Sequence, residues 1–115
     1  MSRTLLIVDD RSDVLTALER FMSIHLKVFT ARTLDEAERL LEVERPDYLL
    51  CDYSLGEGVP PATSVIPGWR QRHPELQLVA LMTGARAVEL TSSPSVDEVF
   101  QKPLDVRRLA AFFEA

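Results

Sequence analysis

Cysteine is almost absent from this sequence, and its scarcity excludes several classes of protein. The one cysteine, Cys51, cannot form an internal disulfide, and it fits a reducing compartment. It lies in the apolar run Tyr48–Cys51, where a thiol is more typical of core packing than of reactivity. The two histidines, His25 and His73, are far apart and have no cysteine at zinc-ligand spacing. The sequence therefore predicts neither a disulfide scaffold nor a zinc site.

Long apolar runs and glycine-rich motifs are also missing. No stretch approaches the roughly 20 apolar residues that a membrane-spanning helix needs. Residues Met1–Thr4 lead straight into a short apolar run, without the pattern of a signal peptide. The four glycines form no phosphate-binding loop, and no serine lies in a nucleophile elbow. We therefore expect a cytoplasmic protein that does not interact with a membrane.

Positive charge is in the minority. The chain has 13 Lys and Arg residues against 18 Asp and Glu, which gives a formal net charge of -5. An acidic chain repels phosphate backbones, so direct binding of nucleic acid is not expected. The length of 115 residues predicts one domain over 1–115 with a substantial core. We expect no output domain in this chain, because no DNA-binding or enzymatic module follows Phe113 and the chain stops inside the last predicted helix.

Short apolar runs alternate with segments of helical periodicity, which predicts an α/β fold with a parallel sheet. The predicted strands are Leu5–Val8, Lys27–Ala31, Tyr48–Cys51, Gln77–Met82 and Glu98–Gln101. A capping box of Thr33 and Glu36 predicts the start of the helix before Pro46.

Prolines restrict two of the other predicted helices. Since proline is tolerated only in the first turn of a helix, Pro67 predicts a helix that starts near Ser64 and ends about His73. Pro94 and neighbouring serines interrupt the segment between the fourth and fifth strands, so the helix there is predicted to be short or irregular. Asp105 is predicted to cap the last helix.

Four of the predicted strands end in residues that can do chemistry. Asp9 and Asp10 follow the first strand, Asp52 the third, Thr83 the fourth and Lys102 the fifth. Parallel strands bring their carboxyl ends to one edge of a sheet, so these side chains are expected to meet. Clustered carboxylates raise each other's pKa unless a cation compensates them, and such hard oxygen ligands suit Mg²⁺. Taken alone, the first two aspartates fit equally well as caps of the following helix.

In this order, the motifs resemble the receiver domain of two-component response regulators. The resemblance rests on the pair Asp9–Asp10, on Asp52 behind an apolar strand, on Thr83–Gly84 and on Lys102–Pro103. It covers the whole chain. It implies a single doubly wound (βα)5 domain, with a five-stranded parallel sheet of order 2-1-3-4-5 and helices on both faces.

The resemblance also implies a function for this set of residues. Asp52 would accept a phosphoryl group from a histidine kinase or a histidine phosphotransfer protein. Thr83 and Lys102 would contact the transferred group, because phosphoryl transfer depends on positioning and on charge neutralisation. The domain would then change conformation and signal to a downstream protein, and its catalysis would be limited to its own phosphorylation and dephosphorylation.

Magnesium is the cofactor that the resemblance implies. Asp10 would bind Mg²⁺ directly and Asp9 largely through water. Asp52 and the backbone carbonyl of Ser54 would complete the protein ligands.

The sequence departs from the family pattern in the segment before Lys102 and at Val99. The segment between Thr83 and Lys102 is short for the family. It belongs to the surface that members use for output and dimerisation, so the standard dimer is not expected. Val99 occupies the position where members often have an aromatic switch residue. Phe100, one residue further along the strand, should face the opposite side of the sheet and pack in the core.

Two other functions compete with the receiver. The first is a phosphorylation-independent protein-interaction domain, a pseudo-receiver, which the short segment and Val99 favour. The second is a phosphatase of the haloacid dehalogenase type, which also uses acids, a hydroxyl, a lysine and Mg²⁺. That family has its nucleophile early in the chain, with a second aspartate two residues later. Here Asp52 is late and Ser54 takes the second position, which makes the phosphatase the less favoured of the two.

Overall fold

The computed structural model describes residues 3–84 and 94–114, in which five strands and four helices are present. In chain order, the elements are β1 (Thr4–Val8), α1 (Ser12–Met22), β2 (Lys27–Ala31), α2 (Leu34–Glu44), β3 (Tyr48–Asp52), α3 (Ala62–Arg72), β4 (Leu78–Thr83), β5 (Glu98–Gln101) and α4 (Val106–Glu114). All neighbouring strands are parallel, and their order is β2-β1-β3-β4-β5. The predicted α/β fold and its sheet order are confirmed.

Strand β1 shows how the sheet is covered on both sides. Successive side chains of a strand point to opposite faces, and all four residues Leu5–Val8 are fully buried. Leu6 belongs to a core cluster that includes residues of α2 and α3. Leu5 belongs to a second cluster that includes residues of α1 and α4. Helices therefore pack on both faces of the sheet, as predicted.

The prediction for the start of α3 was wrong. The helix begins at Ala62, so Pro67 lies in its interior. Proline has no N–H to donate, and the carbonyl of Thr63, four residues earlier, therefore loses its helical partner. Pro67 is exposed, which leaves that side of the turn open to water. The buried side chains of Ile66 and Trp69 hold the helix against the sheet despite this lost bond.

Side chains satisfy backbone donors at the starts of two helices. Thr33 Oγ1 accepts a hydrogen bond from the Glu36 N–H at 3.1 Å, as the capping box predicts. In a capping box the Glu36 side chain would accept in return from the N–H of Thr33. Here Glu36 Oε2 accepts instead from the N–H of Arg32, at 3.1 Å. At α4, Asp105 Oδ1 accepts from the N–H of Arg107 at 3.1 Å, so the predicted cap is confirmed.

The segment before α4 tests two further predictions. Val99 and Phe100 are both buried but belong to the two different core clusters, so they face opposite sides of the sheet, and the core position of Phe100 is confirmed. The short or irregular helix predicted after β4 falls largely on residues 85–93, which lie outside the described residues.

Within the described ranges, no helix combines the length and the apolar character that crossing a bilayer requires.

Candidate functional site

The parallel sheet brings four chemically active residues to its carboxyl edge. Asp9 directly follows β1, and Asp52 is the last residue of β3. Thr83 is the last residue of β4, and Lys102 directly follows β5. Because β1, β3, β4 and β5 are consecutive in the sheet, these positions lie side by side along one edge.

Lys102 joins two of the carboxylates. Its Nζ lies 3.3 Å from Oδ2 of Asp52 and 3.4 Å from Oδ2 of Asp9. The exposed fraction of the side chain is 29% for Lys102, 12% for Asp52 and 0% for Asp9. The Lys102 N–H donates to the carbonyl of Thr83 at 2.8 Å, and the Lys102–Pro103 peptide bond is cis. One ammonium group thus faces two buried acids from the open side of the site.

Asp9 and Asp10 are adjacent in sequence but differ in environment. Asp9 is fully buried, and its Oδ1 accepts a hydrogen bond from the N–H of Arg11 at 3.0 Å. It therefore orders the entry to α1 with one oxygen and contacts Lys102 with the other. Asp10 is exposed. This geometry is compatible with both interpretations of Asp9: it stabilises the start of a helix, and it belongs to the acidic site.

The ionisation of Asp52 is unfavourable in this environment. Burial raises the pKa of Asp52, and the negative charge of Asp9 raises it further. The charge and hydrogen bond of Lys102 and a backbone hydrogen bond from Ser54 lower the pKa, but they do not cancel the increase. Burial and the charge of Asp9 together therefore outweigh the support that Lys102 and Ser54 give to the ionised form of Asp52.

A divalent cation fits this group of side chains. Asp9, Asp10 and Asp52 each offer a carboxylate oxygen, and these oxygens lie within 4.8 Å of one another. Carboxylate oxygens are the ligands that Mg²⁺ and Ca²⁺ prefer. A bound cation would also favour the ionised form of Asp52, which burial and the charge of Asp9 disfavour.

Several solved receiver domains have the same fold as this chain. The receiver domain of an HD domain-containing protein from Pseudomonas fluorescens Pf-5 is 19% identical, with a TM-score of 0.86 over 99% of this chain and 93% of that chain. A CheY-like receiver domain from Methanospirillum hungatei is 21% identical, with a TM-score of 0.87 over 99% of this chain and 92% of that one. A response regulator protein from Burkholderia pseudomallei, solved with a phosphorylated aspartic acid, a calcium ion and citrate, is 23% identical, with a TM-score of 0.82 over 96% of this chain and 65% of that one. No protein-family model and no curated protein matches the sequence. This chain has the receiver-domain fold.

Thr83 and Ser54 occupy the remaining predicted positions at this edge of the receiver fold. Thr83 is buried, and it lies opposite Gln101 in the pairing of β4 with β5. Ser54 lies two residues beyond Asp52 and is exposed. The backbone N–H of Ser54 donates a hydrogen bond to the Asp52 carboxylate. The geometry brings Asp9, Asp52 and Lys102 into direct contact, with Asp10 close by, while Thr83 is linked to Lys102 through the backbone.

Cys51 is adjacent to the site but does not belong to its chemistry. Its side chain is fully buried, and its Sγ donates to the carbonyl of Asp52 at 3.3 Å. Burial raises the pKa of the Cys51 thiol far above its ordinary value, and the negative charges of Asp52 and Asp9 add to the increase. The thiol is therefore protonated and unreactive in the folded protein.

The sequence analysis missed one residue at this edge. Arg32 directly follows β2, and its Nη2 donates to the carbonyl of Asp10 at 3.3 Å. The predicted site residues lie at the ends of the first, third, fourth and fifth strands, and Arg32 is not among them. The signal was available, because β2 is also parallel to β1 and ends at the same edge.

Proposed function

We propose that this chain is a receiver in a two-component phosphorelay, in which Asp52 accepts a phosphoryl group from a histidine kinase or a histidine phosphotransfer protein. The observation that carries the proposal is the contact of Lys102 Nζ with Asp52 at 3.3 Å and with Asp9 at 3.4 Å, at the carboxyl edge of a receiver fold. The phosphorylated aspartic acid in the similar Burkholderia structure supports it. Residues 1–115 would act as one phosphoacceptor domain in the cytoplasm.

Asp52 acts as the nucleophile in the proposed reaction. One of its carboxylate oxygens forms a bond to phosphorus while the bond from phosphorus to the donor's imidazole nitrogen breaks. The nitrogen leaves with the electron pair of that bond. Lys102 favours the ionised, reactive form of Asp52, since its charge lowers the pKa of that carboxyl. The Lys102 ammonium and the Thr83 hydroxyl are the proposed donors to the phosphoryl oxygens.

Magnesium is the proposed cofactor. Asp10 would hold it directly, Asp9 largely through water, and Asp52 and the carbonyl of Ser54 would complete the protein ligands. When bound, Mg²⁺ supplies positive charge that offsets the phosphoryl and carboxylate oxygens. The acidic cluster supports a divalent cation at this position, and the presence of a calcium ion in the similar Burkholderia structure supports divalent metal binding in general.

The output is proposed to be a conformational change and not turnover of a second substrate. Thr83 ends β4, and its carbonyl accepts from the N–H of Lys102 at the end of β5. A movement of Thr83 toward a phosphorylated Asp52 would therefore also displace the end of β5. A downstream protein that contacts this part of the surface would detect that displacement.

Intact-mass measurement tests the proposal. The chain is incubated with acetyl phosphate and Mg²⁺, and we expect one phosphoryl adduct, mapped to Asp52 by peptide fragmentation. Asp52→Asn should form no adduct. Asp35→Asn is the matched control, because Asp35 is an exposed aspartate that belongs to α2 and not to the acidic cluster. It should be phosphorylated like the wild type.

Two other outcomes would point to the competing functions. A folded wild-type protein that binds Mg²⁺ but forms no adduct would favour a phosphorylation-independent docking domain. Sustained hydrolysis of a generic phosphate ester such as p-nitrophenyl phosphate would favour a phosphatase of the haloacid dehalogenase type.

A further inference from the structure

We propose that Arg32 attracts the anionic phosphoryl donor to the acidic site and thereby sets the rate at which Asp52 is phosphorylated. This inference rests on the proposed function, and it assigns a positioning role to a residue outside the acids, the threonine and the lysine. Its basis is the place of Arg32 at the end of β2, beside Asp10.

The charge of the site opposes the approach of a phosphoryl donor. Three carboxylates lie together at the sheet edge, and the lysine that contacts two of them is one ammonium group. A phosphoryl donor is itself an anion, so the site needs positive charge at its open side to favour the encounter. A bound divalent cation supplies part of this charge, and Arg32 is placed to supply more.

The position of Arg32 is defined by contacts at both ends of the residue. Ala31, the last residue of β2, pairs with Val8, the last residue of β1. Arg32 and Asp9 directly follow these two residues, so they lie side by side at the edge of the sheet. Its backbone N–H donates to Glu36 Oε2 at 3.1 Å. Its Nη2 donates to the carbonyl of Asp10 at 3.3 Å, which orients the guanidinium beside the acidic cluster.

The guanidinium of Arg32 keeps its charge and most of its donors available. Arg32 is exposed, and a guanidinium has five N–H groups, of which the contact with Asp10 uses one. Within residues 3–84 and 94–114, no carboxylate lies at ion-pair distance from it. Arg11 provides the contrast, because its Nε and Nη2 contact the carboxylate of Asp13 at 3.3 and 2.9 Å.

A cation in this position has opposite effects on the two ligands of the site. It attracts the anionic donor and repels Mg²⁺. Removing the charge of Arg32 should therefore slow phosphorylation and tighten Mg²⁺ binding. A variant that merely disturbs the fold would weaken both processes, so the opposite signs identify an electrostatic role.

The experiment compares Arg32→Gln and Arg32→Lys with the wild type. Acetyl phosphate at saturating Mg²⁺ serves as the donor: an Asp52 oxygen bonds to phosphorus, the bond from phosphorus to the acetyl oxygen breaks, and acetate leaves with its electron pair. Adduct formation is followed by intact mass at several KCl concentrations. Mg²⁺ affinity is measured separately by calorimetry without the donor. Arg20→Gln is the matched control, since Arg20 is an exposed arginine in the last turn of α1. That turn lies toward the amino ends of the strands, away from the acidic site.

For Arg32→Gln we expect phosphorylation to be about threefold slower at low salt, with the difference shrinking at high salt, as for a screened exposed charge. Mg²⁺ should bind about threefold more tightly, by the same Coulomb argument. Arg32→Lys and Arg20→Gln should resemble the wild type in both measurements.

The outcomes separate this inference from the function on which it rests. A wild-type adduct together with an unchanged rate in Arg32→Gln would overturn the role of Arg32 alone. So would a loss of Mg²⁺ affinity alongside the slower rate, because that indicates a structural defect. If the wild type forms no adduct at all, the proposed function fails and this inference fails with it.

Discussion

Replacing Lys102 with methionine tests the electrostatics of the site without any phosphoryl donor. The substitution keeps an unbranched side chain but removes the ammonium that lies 3.3 Å from Asp52 and 3.4 Å from Asp9. Coulomb's law gives about 5 kcal/mol for each pair at an effective dielectric constant of about 20. Desolvation of the charges offsets much of this attraction. Removing one partner of a buried pair nevertheless costs about 3 to 5 kcal/mol, because the other charge is left uncompensated.

We expect Lys102→Met to lower the free energy of unfolding of the metal-free protein by about 3 kcal/mol at pH 7.5, the lower end of that range because the lysine is partly exposed. Urea titration followed by the fluorescence of the buried Trp69 measures the change. Added Mg²⁺ should restore part of the lost stability, since it compensates the same carboxylates.

The loss should depend on pH in a defined direction. The pKa of Asp52 is already raised, and removing Lys102 raises it further, because the lysine charge lowers it. A carboxyl whose pKa is raised by folding destabilises the protein above its folded pKa, and this penalty disappears as the pH falls and the group takes up a proton. The difference between Lys102→Met and the wild type should therefore be largest at pH 7.5 and shrink toward pH 4.5.

Two control variants complete the test. Lys27→Met changes the other lysine of the sequence, which is exposed at the start of β2 with its Nζ 5.5 Å from the Phe29 ring centroid, and should cost at most about 1 kcal/mol. Introduced into an Asp52→Asn background, Lys102→Met should cost clearly less than in the wild type, because one of the two charges that it compensates is already gone. An equal cost in both backgrounds, or at both pH values, would refute the electrostatic explanation.

Two further predictions concern the surroundings of the site. Cys51 should resist alkylation by iodoacetamide at pH 8 in the native protein and react only after unfolding, because burial raises its pKa; rapid native-state labelling in a mass spectrum would contradict this. Thr33→Ala should lower the free energy of unfolding by about 1 kcal/mol, since Thr33 Oγ1 caps α2 through the Glu36 N–H. Thr33→Ser should retain most of that stability in the same urea titration, and equal stability of all three proteins would exclude the capping role.

The strands could be predicted closely from the sequence because their signals are local. Strand β2 covers the predicted Lys27–Ala31, and β5 covers the predicted Glu98–Gln101. Short apolar runs bounded by polar or turn-forming residues determine such limits without information from the rest of the chain. The shared edge for Asp9, Asp52 and Lys102 follows in turn from parallel pairing. The order of the strands did not follow from periodicity, and its prediction came from the family resemblance.

The start of α3 was decided by tertiary packing. A local rule for proline excluded Pro67 from the helix interior, but the helix spans Ala62–Arg72. Burial of Ile66 and Trp69 against the sheet outweighs one missing hydrogen bond, and the sequence does not state how much surface those side chains bury.

The details of the site also needed the folded chain. Asp9 and Asp10 are identical residues side by side, yet one is fully buried and the other is exposed. The parallel strands place Arg32 at the same edge, but its contact with the carbonyl of Asp10 depends on a side-chain conformation that the sequence does not specify. The sequence by itself determined which residues lie at the carboxyl ends of the strands, because that depends on local patterns. Only the tertiary structure decided which of their charges touch water and which touch Lys102, because those distances join segments that are remote in the chain.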